Sequence, residues 1–268
     1  MQNNSAVSYT ISAIIMTVTT ISLVLVASIY AYQVLDQQRG ATEFDVAKES
    51  ILAFNDALEN IAWKPGAVRS SRFTIEYGYL QLIPNGTQYG NAIKINATVD
   101  SNPPTTLYSN TTGFLKYYLS TKYVSFGQAY TSYIWGSNST LVVGSTDSYG
   151  RAVVEQLGGW ITITLDYRVR AMKTSVINVN GTPVNYVDIW VIRLLTMETV
   201  THPWSYVHDF DLRAKCLNVQ TISHETQVQN DATISVQIGT DISPPANITL
   251  VTGKVVFNVI LAEVQVSV

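Results

Sequence analysis

The first charged side chain in this 268-residue chain is Asp36. From Ala6 to Tyr32 the sequence is mostly apolar, with Ser and Thr interspersed, and roughly 20 such residues suffice for one helix to cross a bilayer. A helix apolar on every side must be covered on every side, by lipid or by other helices. The run does not match a secretory signal, which pairs a basic n-region with an apolar centre of about 7 to 15 residues and a small-residue cleavage site. No Lys or Arg precedes Arg39.

The helical pattern does not stop where the apolar run ends. Phe44, Ala47, Ile51, Phe54, Leu58 and Ile61 recur at alternating spacings of three and four, with Asp45, Lys48, Glu49, Asp56 and Glu59 between them. That is the seam of an amphipathic helix. Pro65, which lacks an N–H, and Gly66 supply the stop. The spacing therefore predicts one helix from Ser5 to Trp63, roughly 90 Å long at about 1.5 Å per residue. Arg39-Gly40 is its expected bend, because glycine weakens a helix interior by about 1 kcal/mol.

About 200 residues remain for one large or two small globular units, and a single outer domain over residues 65–268 following a helical segment over 1–64 is the expected division. A net charge of -3 with scattered basic residues gives no electrostatic footprint for nucleic acid. Charged residues are 13% of the chain, against roughly 25% in ordinary soluble domains. Burial between subunits or a coat of sugar would each account for so uncharged a surface. Cys216 is the single cysteine, so no intrachain disulfide forms and the residue is expected to be a small apolar core side chain.

After Gly66 the period changes to two. Phe73, Ile75, Tyr77 and Tyr79 alternate with polar residues, and Ile161, Ile163, Leu165, Tyr167 and Val169 alternate with Thr162, Thr164, Asp166 and Arg168. Each reads as a strand with one buried face. Further strands are expected near 92–99, 114–124, 184–195, 217–223, 232–238, 248–251 and 254–268, separated by turn signals such as Asn180-Gly181. The fold class is therefore α+β: a long hydrophobic helix followed by an all-β sandwich of immunoglobulin-like architecture. Residues 101–150, rich in Tyr among Ser, Thr, Asn and Gly, suggest an insertion or second lobe.

Chemistry is sparse. N-glycan acceptor sequences lie at Asn3, Asn85, Asn96, Asn110, Asn138, Asn180 and Asn247, whereas Asn102 is followed by Pro103 and Pro104. Asn3, at the head of the hydrophobic helix, is expected to stay unused. His202, His208, Asp209 and Asp211 form the best metal or acid-base cluster, yet their spacing fits no zinc pattern, and His224-Glu225 lacks a second histidine. There is no Gly-x-Ser-x-Gly, no phosphate-binding glycine loop and no motif around Cys216. The expectation is a protein that is not an enzyme and has no cofactor apart from N-linked glycans. Tyr117, Tyr118 and Tyr133 are adhesion candidates, because tyrosine gives a large contact area at low entropic cost; core packing or subunit contact is the alternative use.

An uncharged Ser/Thr-containing N-terminal helix, its amphipathic extension, a Pro-Gly stop and a β domain together resemble archaeal type IV pilins and the related archaellins. The resemblance covers Ser5 to Trp63 by pattern and the outer domain by class. It implies a homopolymer whose helices leave the membrane and bundle as the filament core, after a prepilin peptidase removes a basic leader and an assembly machinery extracts the subunit. The absence of basic residues before Arg39 agrees with a mature form. Bacterial pilins usually carry a glutamate near the mature N-terminus, and the lack of one here fits the archaeal branch. On this reading Ala6, Ile11, Ile14, Ile15, Val18, Ile21, Leu23, Leu25 and Ile29 belong to the polymerisation helix, and the Phe44, Ile51, Phe54, Leu58, Ile61 seam docks on the β domain or on neighbouring helices. The small residues Ala6, Ser8, Ser12, Ala13, Thr17, Ala27 and Ser28 would allow close helix approach, with hydroxyls bonded to the preceding turn. The expected product is an extracellular adhesion filament on the cell surface, membrane-inserted before assembly, with a surface or cell as possible target. An archaellum subunit and a membrane-anchored binding protein that never polymerises are the rival readings.

Overall fold

The computed structural model describes residues 4–86, 90–144, 147–196 and 204–268. It begins with one uninterrupted α-helix, α1 (Asn4–Ile61), which passes through Gly40. Gly40 is not a break but a close approach: a Cβ there would stand 2.5 Å from Cγ and 2.8 Å from Cβ of Tyr123. The helix ends as Ala62 and Lys64 donate back to the carbonyls of Leu58 and Ile61, and Gly66 takes a left-handed φ of 83°.

Fifteen strands follow among the described residues: β1 (Val68–Ile83), β2 (Asn91–Val99), β3 (Thr105–Thr112), β4 (Phe114–Ser120), β5 (Thr131–Trp135), β6 (Leu141–Val142), β7 (Gly150–Leu157), β8 (Trp160–Tyr167), β9 (Val169–Val179), β10 (Thr182–Thr196), β11 (Trp204–Val228), β12 (Asp231–Ile238), β13 (Asp241–Ile242), β14 (Ala246–Thr249) and β15 (Gly253–Ser267). Ten form one sheet in the order β5-β7-β8-β4-β1-β11-β15-β10-β9-β6, and a smaller sheet runs β13-β12-β2-β3 with β14 also paired to β12. The expected immunoglobulin-like sandwich is replaced by unequal sheets, the larger curled into a half-barrel. The Tyr-rich stretch enters both sheets, supplying β3 to the small one and β4 to β6 to the large one.

Two adjacent buried pairs explain the architecture. Val187, Ile189 and Val191 of β10 pack towards the small sheet, whereas Ile192 and Leu194 belong to the core around the helix. In β15 the change falls between Leu261 and Ala262. Neighbouring residues point to opposite faces of a strand, so the large sheet buries one face against α1 and, further along, the other face against the small sheet.

The helix seam is buried as its spacing predicts. Phe44, Ala47, Ile51, Phe54, Leu58 and Ile61 pack against Phe73, Ile75, Leu119, Ile163, Leu212 and Val264 in one core. The stretch 161–169 departs from expectation, because its polar side is covered as well: Thr162 and Asp166 of β8 and Arg168 just after it are buried. Arg151 reaches Asp166 at 2.8 Å through Nε and Asp241 at 2.9 Å through its second arm, and Arg168 donates to the Ser137 hydroxyl at 3.1 Å. Arg151 is thus a buried charge offset by carboxylates, whereas Arg168 finds neutral oxygen acceptors.

Gly40→Ala tests the close approach. Alanine favours a helix by about 1 kcal/mol, yet overpacking costs about 1 to 3 kcal/mol. The expected result is a lower urea midpoint, and a rise would show that Tyr123 moves aside freely.

Candidate functional site

The most exposed apolar surface is the first half of α1. Ile11, Ile14, Ile15, Val18, Ile21, Leu23, Leu25 and Ile29 are all more than half exposed, with Leu23 at 70%. This stretch has a mean hydropathy of 2.2 and none of it is buried within the subunit. Ala6 lies in the helix, but its side chain is outside the described residues. The hydroxyls bond back along the helix: Thr17 to the Ala13 carbonyl at 2.8 Å, Thr19 to Ile15 at 2.9 Å, Thr20 to Met16 at 2.8 Å and Ser28 to Val24 at 2.8 Å. Their polar capacity is spent locally, leaving an apolar rod.

Where the rod meets the β domain, charge begins and contacts are specific. Asp36 accepts from Lys122 Nζ at 2.9 Å; Gly40 lies against Tyr123, whose ring packs edge-on against Tyr77 at 5.0 Å; and Phe44 meets Phe126 at 5.8 Å. Glu43 is the centre of this junction. β1 loses register with β11 between Ile75 and Leu80, and the irregular stretch turns three successive N–H groups towards the helix. Glu43 accepts from Glu76 N and Tyr77 N at 2.7 Å, from Gly78 N at 2.8 Å and from the Tyr117 hydroxyl at 2.8 Å. In the last turn of α1, Glu59 does similar work, accepting from Gly150 N at 2.8 Å and the Ser148 hydroxyl at 3.0 Å. Cys216 closes that end by donating its thiol to the Ala62 carbonyl at 3.1 Å, and burial pushes the thiol pKa up.

The adhesion candidates separate. Tyr117 is fully buried on Glu43 and offers no outer surface. Tyr133 is exposed on β5. Tyr118 stacks on Tyr79 at 4.8 Å, with Trp160 edge-on to both at 5.7 and 6.4 Å and Lys116 Nζ 5.5 Å over the Tyr118 ring. Sequence reading missed this three-strand aromatic cluster because its members are far apart in the chain.

Among glycan acceptors, Asn110, Asn138, Asn180 and Asn247 are exposed, while Asn85 and Asn96 are half-buried. The Asn96 amide oxygen accepts from Thr106 at 3.0 Å and that of Asn247 from Thr233 at 2.8 Å. Asn3 and His202 lie outside the described residues. His208 and Asp209 are exposed, and Asp209 pairs with Arg72 at 3.1 Å; hydrogen bonds from Thr74 and Arg72 hold its carboxyl pKa down. No group able to hold a metal occurs among the described residues.

Burial raises the hydroxyl pKa of Tyr117, helped by the hydrogen bond to Glu43, and that of Tyr167. Both ionise near about 10 once unfolded. Above that pH the unfolded chain sheds protons that the folded chain retains, so stability falls by about 1.4 kcal/mol per pH unit for each such tyrosine. Urea midpoints should hold between about pH 8 and pH 10 and drop steeply beyond; a flat profile to about pH 11 would count against the burial of these hydroxyls.

Compared with protein-family models, curated proteins and solved structures, the chain matches none.

Proposed function

We propose that this chain is a structural subunit of an extracellular filament of the archaeal type IV pilus kind, polymerised through its N-terminal helix and displaying the β domain outward. The observation that carries this reading is the rod itself. None of its apolar stretch is buried in its own subunit, while the helix beyond Asp36 is fixed to the domain by a buried seam and by Glu43. A rod continuous with a rigidly held helix transmits position from core to surface, as a filament subunit requires. A mere tether would need no such continuity.

Membrane insertion precedes assembly on this reading. Ile11 to Leu35 spans about 37 Å at about 1.5 Å per residue, enough for a hydrocarbon core of about 30 Å. Tyr9 stands near one end and Tyr30 and Tyr32 near the other, all strongly exposed, where interfacial tyrosines sit. The Tyr79, Tyr118, Trp160 cluster is the adhesive surface this reading favours, and Asn110, Asn138, Asn180 and Asn247 are the acceptors open to glycans.

The test is to isolate filaments from the cell surface, identify this chain in them and locate its helix by electron microscopy. A central bundle of helices is expected. Filaments with peripheral helices, or a detergent-released monomer as the only surface form, would overturn the reading, the latter in favour of the anchored protein. Loss of swimming on deletion would assign the filament to motility instead.

A further inference from the structure

Two of the strand edges in the large sheet that have no partner strand among the described residues belong to β11 and β9. β1 accompanies β11 only as far as Cys216. Beyond it β15 alone runs beside β11, through to Val228. Among the described residues the second edge of Leu217–Gln227 is therefore bare. On the other side, β9 pairs with β10 from Arg170 to Val179, while β6 covers only Val169 and Arg170, so the second edge from Ala171 to Val179 is bare too. The order β11-β15-β10-β9 sets these edges on opposite sides of one four-stranded slab. β11 is antiparallel to β15, β15 parallel to β10 and β10 antiparallel to β9, so β9 and β11 point the same way.

Both edges are largely exposed, but their surroundings differ. Thr174–Val179, the arm, is exposed on both faces; its partners Val184–Tyr186 are themselves paired with β15, and the end from Asn178 to Pro183, turned at Asn180-Gly181 with φ of 51° and 84°, extends past that pairing. The arm holds Val176, Ile177 and Val179 with no charge and no proline, although protruding edges are normally blunted by one or the other. The β11 edge instead borders a slot of about 680 Å³ between the sheets, lined in part by Val99, Leu107, His224 and Phe257. The His224 ring reaches across to the Leu107 carbonyl at 3.0 Å.

We propose that the arm of one subunit, Thr174–Val179, adds as a β-strand to the Leu217–Gln227 edge of a second copy of this chain. Bare N–H and C=O rows are complemented by another strand. Ile177 and Val179 alternate onto one face of the arm, the face that would meet the apolar slot lining. Joining β9 to β11 is heterologous: each copy gives one edge and receives on the other, so the series runs on as an open filament unless a rotation closes it into a ring. Because the strands point the same way, copies related by translation pair them in parallel. Pairing β9 with β9, or β11 with β11, needs a two-fold axis and stops at a dimer. Asn180 lies at the turn, past the pairing residues. The inference rests on the filament reading for the supply of neighbouring copies.

The experiment uses full-length chain displayed on cells, carrying Ile177→Cys and Ser223→Cys together or singly, both exposed positions, with a short thiol cross-linker applied to the surface material. Cys216 is buried and spared. The double variant should give a ladder of multimers and each single variant none. Dimers from Ile177→Cys alone would mean two-fold pairing and overturn the proposal. Filaments that form without a ladder would overturn this contact and leave the filament reading standing. No assembled material from the unmodified chain would overturn both. Ile177→Lys should lower assembled material by about tenfold with an unchanged urea midpoint; undiminished assembly would count against the arm.

Discussion

Replacing Glu43 by alanine is expected to cost the fold about 3 to 5 kcal/mol, a large share of the roughly 5 to 15 kcal/mol that holds a domain together. Four donors lose their acceptor at once: the N–H groups of Glu76, Tyr77 and Gly78 and the Tyr117 hydroxyl. Each orphaned buried donor costs about 1 to 3 kcal/mol, and water entering the gap recovers part of the total. Glu43→Gln keeps the shape but turns an amide NH₂ towards donors, so it should recover less than half of the loss. Tyr117→Phe removes a single bond and should cost about 1 kcal/mol. The three variants can be compared by urea denaturation of detergent-solubilised full-length chain. A Glu43→Ala loss below about 1 kcal/mol would mean that β1 satisfies its N–H groups elsewhere.

This arrangement also says why the junction is stiff. The β1 irregularity between Ile75 and Leu80 would be a weak point in a ladder, since its amides face no strand. Supplied with an acceptor from the helix, it becomes the place where helix and sheet are joined by hydrogen bonds as well as by apolar packing. Variants at Glu43 should therefore loosen the angle of the rod before they unfold the domain; on the proposed filament reading, disordered filaments would be the visible consequence.

How much of this was legible in the sequence depends on the period involved. The three-and-four spacing from Phe44 to Ile61 identified the buried face of α1 residue by residue, because one helix turn fixes which side chains align. Glu43 was legible too in principle: it stands four residues before Ala47 and three after Gly40, on the seam itself, where a carboxylate must find partners. Its partners lie 33 to 74 residues away and left no local mark. The strands were readable from alternation, but the exchange of buried faces was hidden. Val191-Ile192 and Leu261-Ala262 look like ordinary apolar pairs until the sheet is seen to bury both sides in turn. Gly40 carries a related lesson: propensity sees glycine as weakness, whereas packing against Tyr123 uses its missing side chain within an unbroken helix. Tyr117 and Tyr118 are neighbours of identical type, and only the register with Leu80 and Tyr79 decides which of them faces the core.

Ile21→Lys should abolish filaments while leaving the β domain intact. Ile21 is exposed near the middle of the rod, remote from the Asp36 to Phe44 junction, so the substitution removes no contact within the subunit. In a bundle of identical helices the same ammonium recurs in every neighbour, and no acidic side chain occurs before Asp36 to pair with it. A lysine at the centre of a membrane helix costs about 2.5 to 3.5 kcal/mol on insertion scales, which a stretch of this hydropathy tolerates, so the chain should still be found in membranes. Ile21→Leu, which keeps the apolar surface, should assemble normally. The pair of outcomes separates the filament from the anchor: a protein that only sits in lipid would lose part of its membrane retention and nothing else. Filaments at full yield from Ile21→Lys would show that this face of the helix is not in the core, and with it the argument from the uncharged rod would fail.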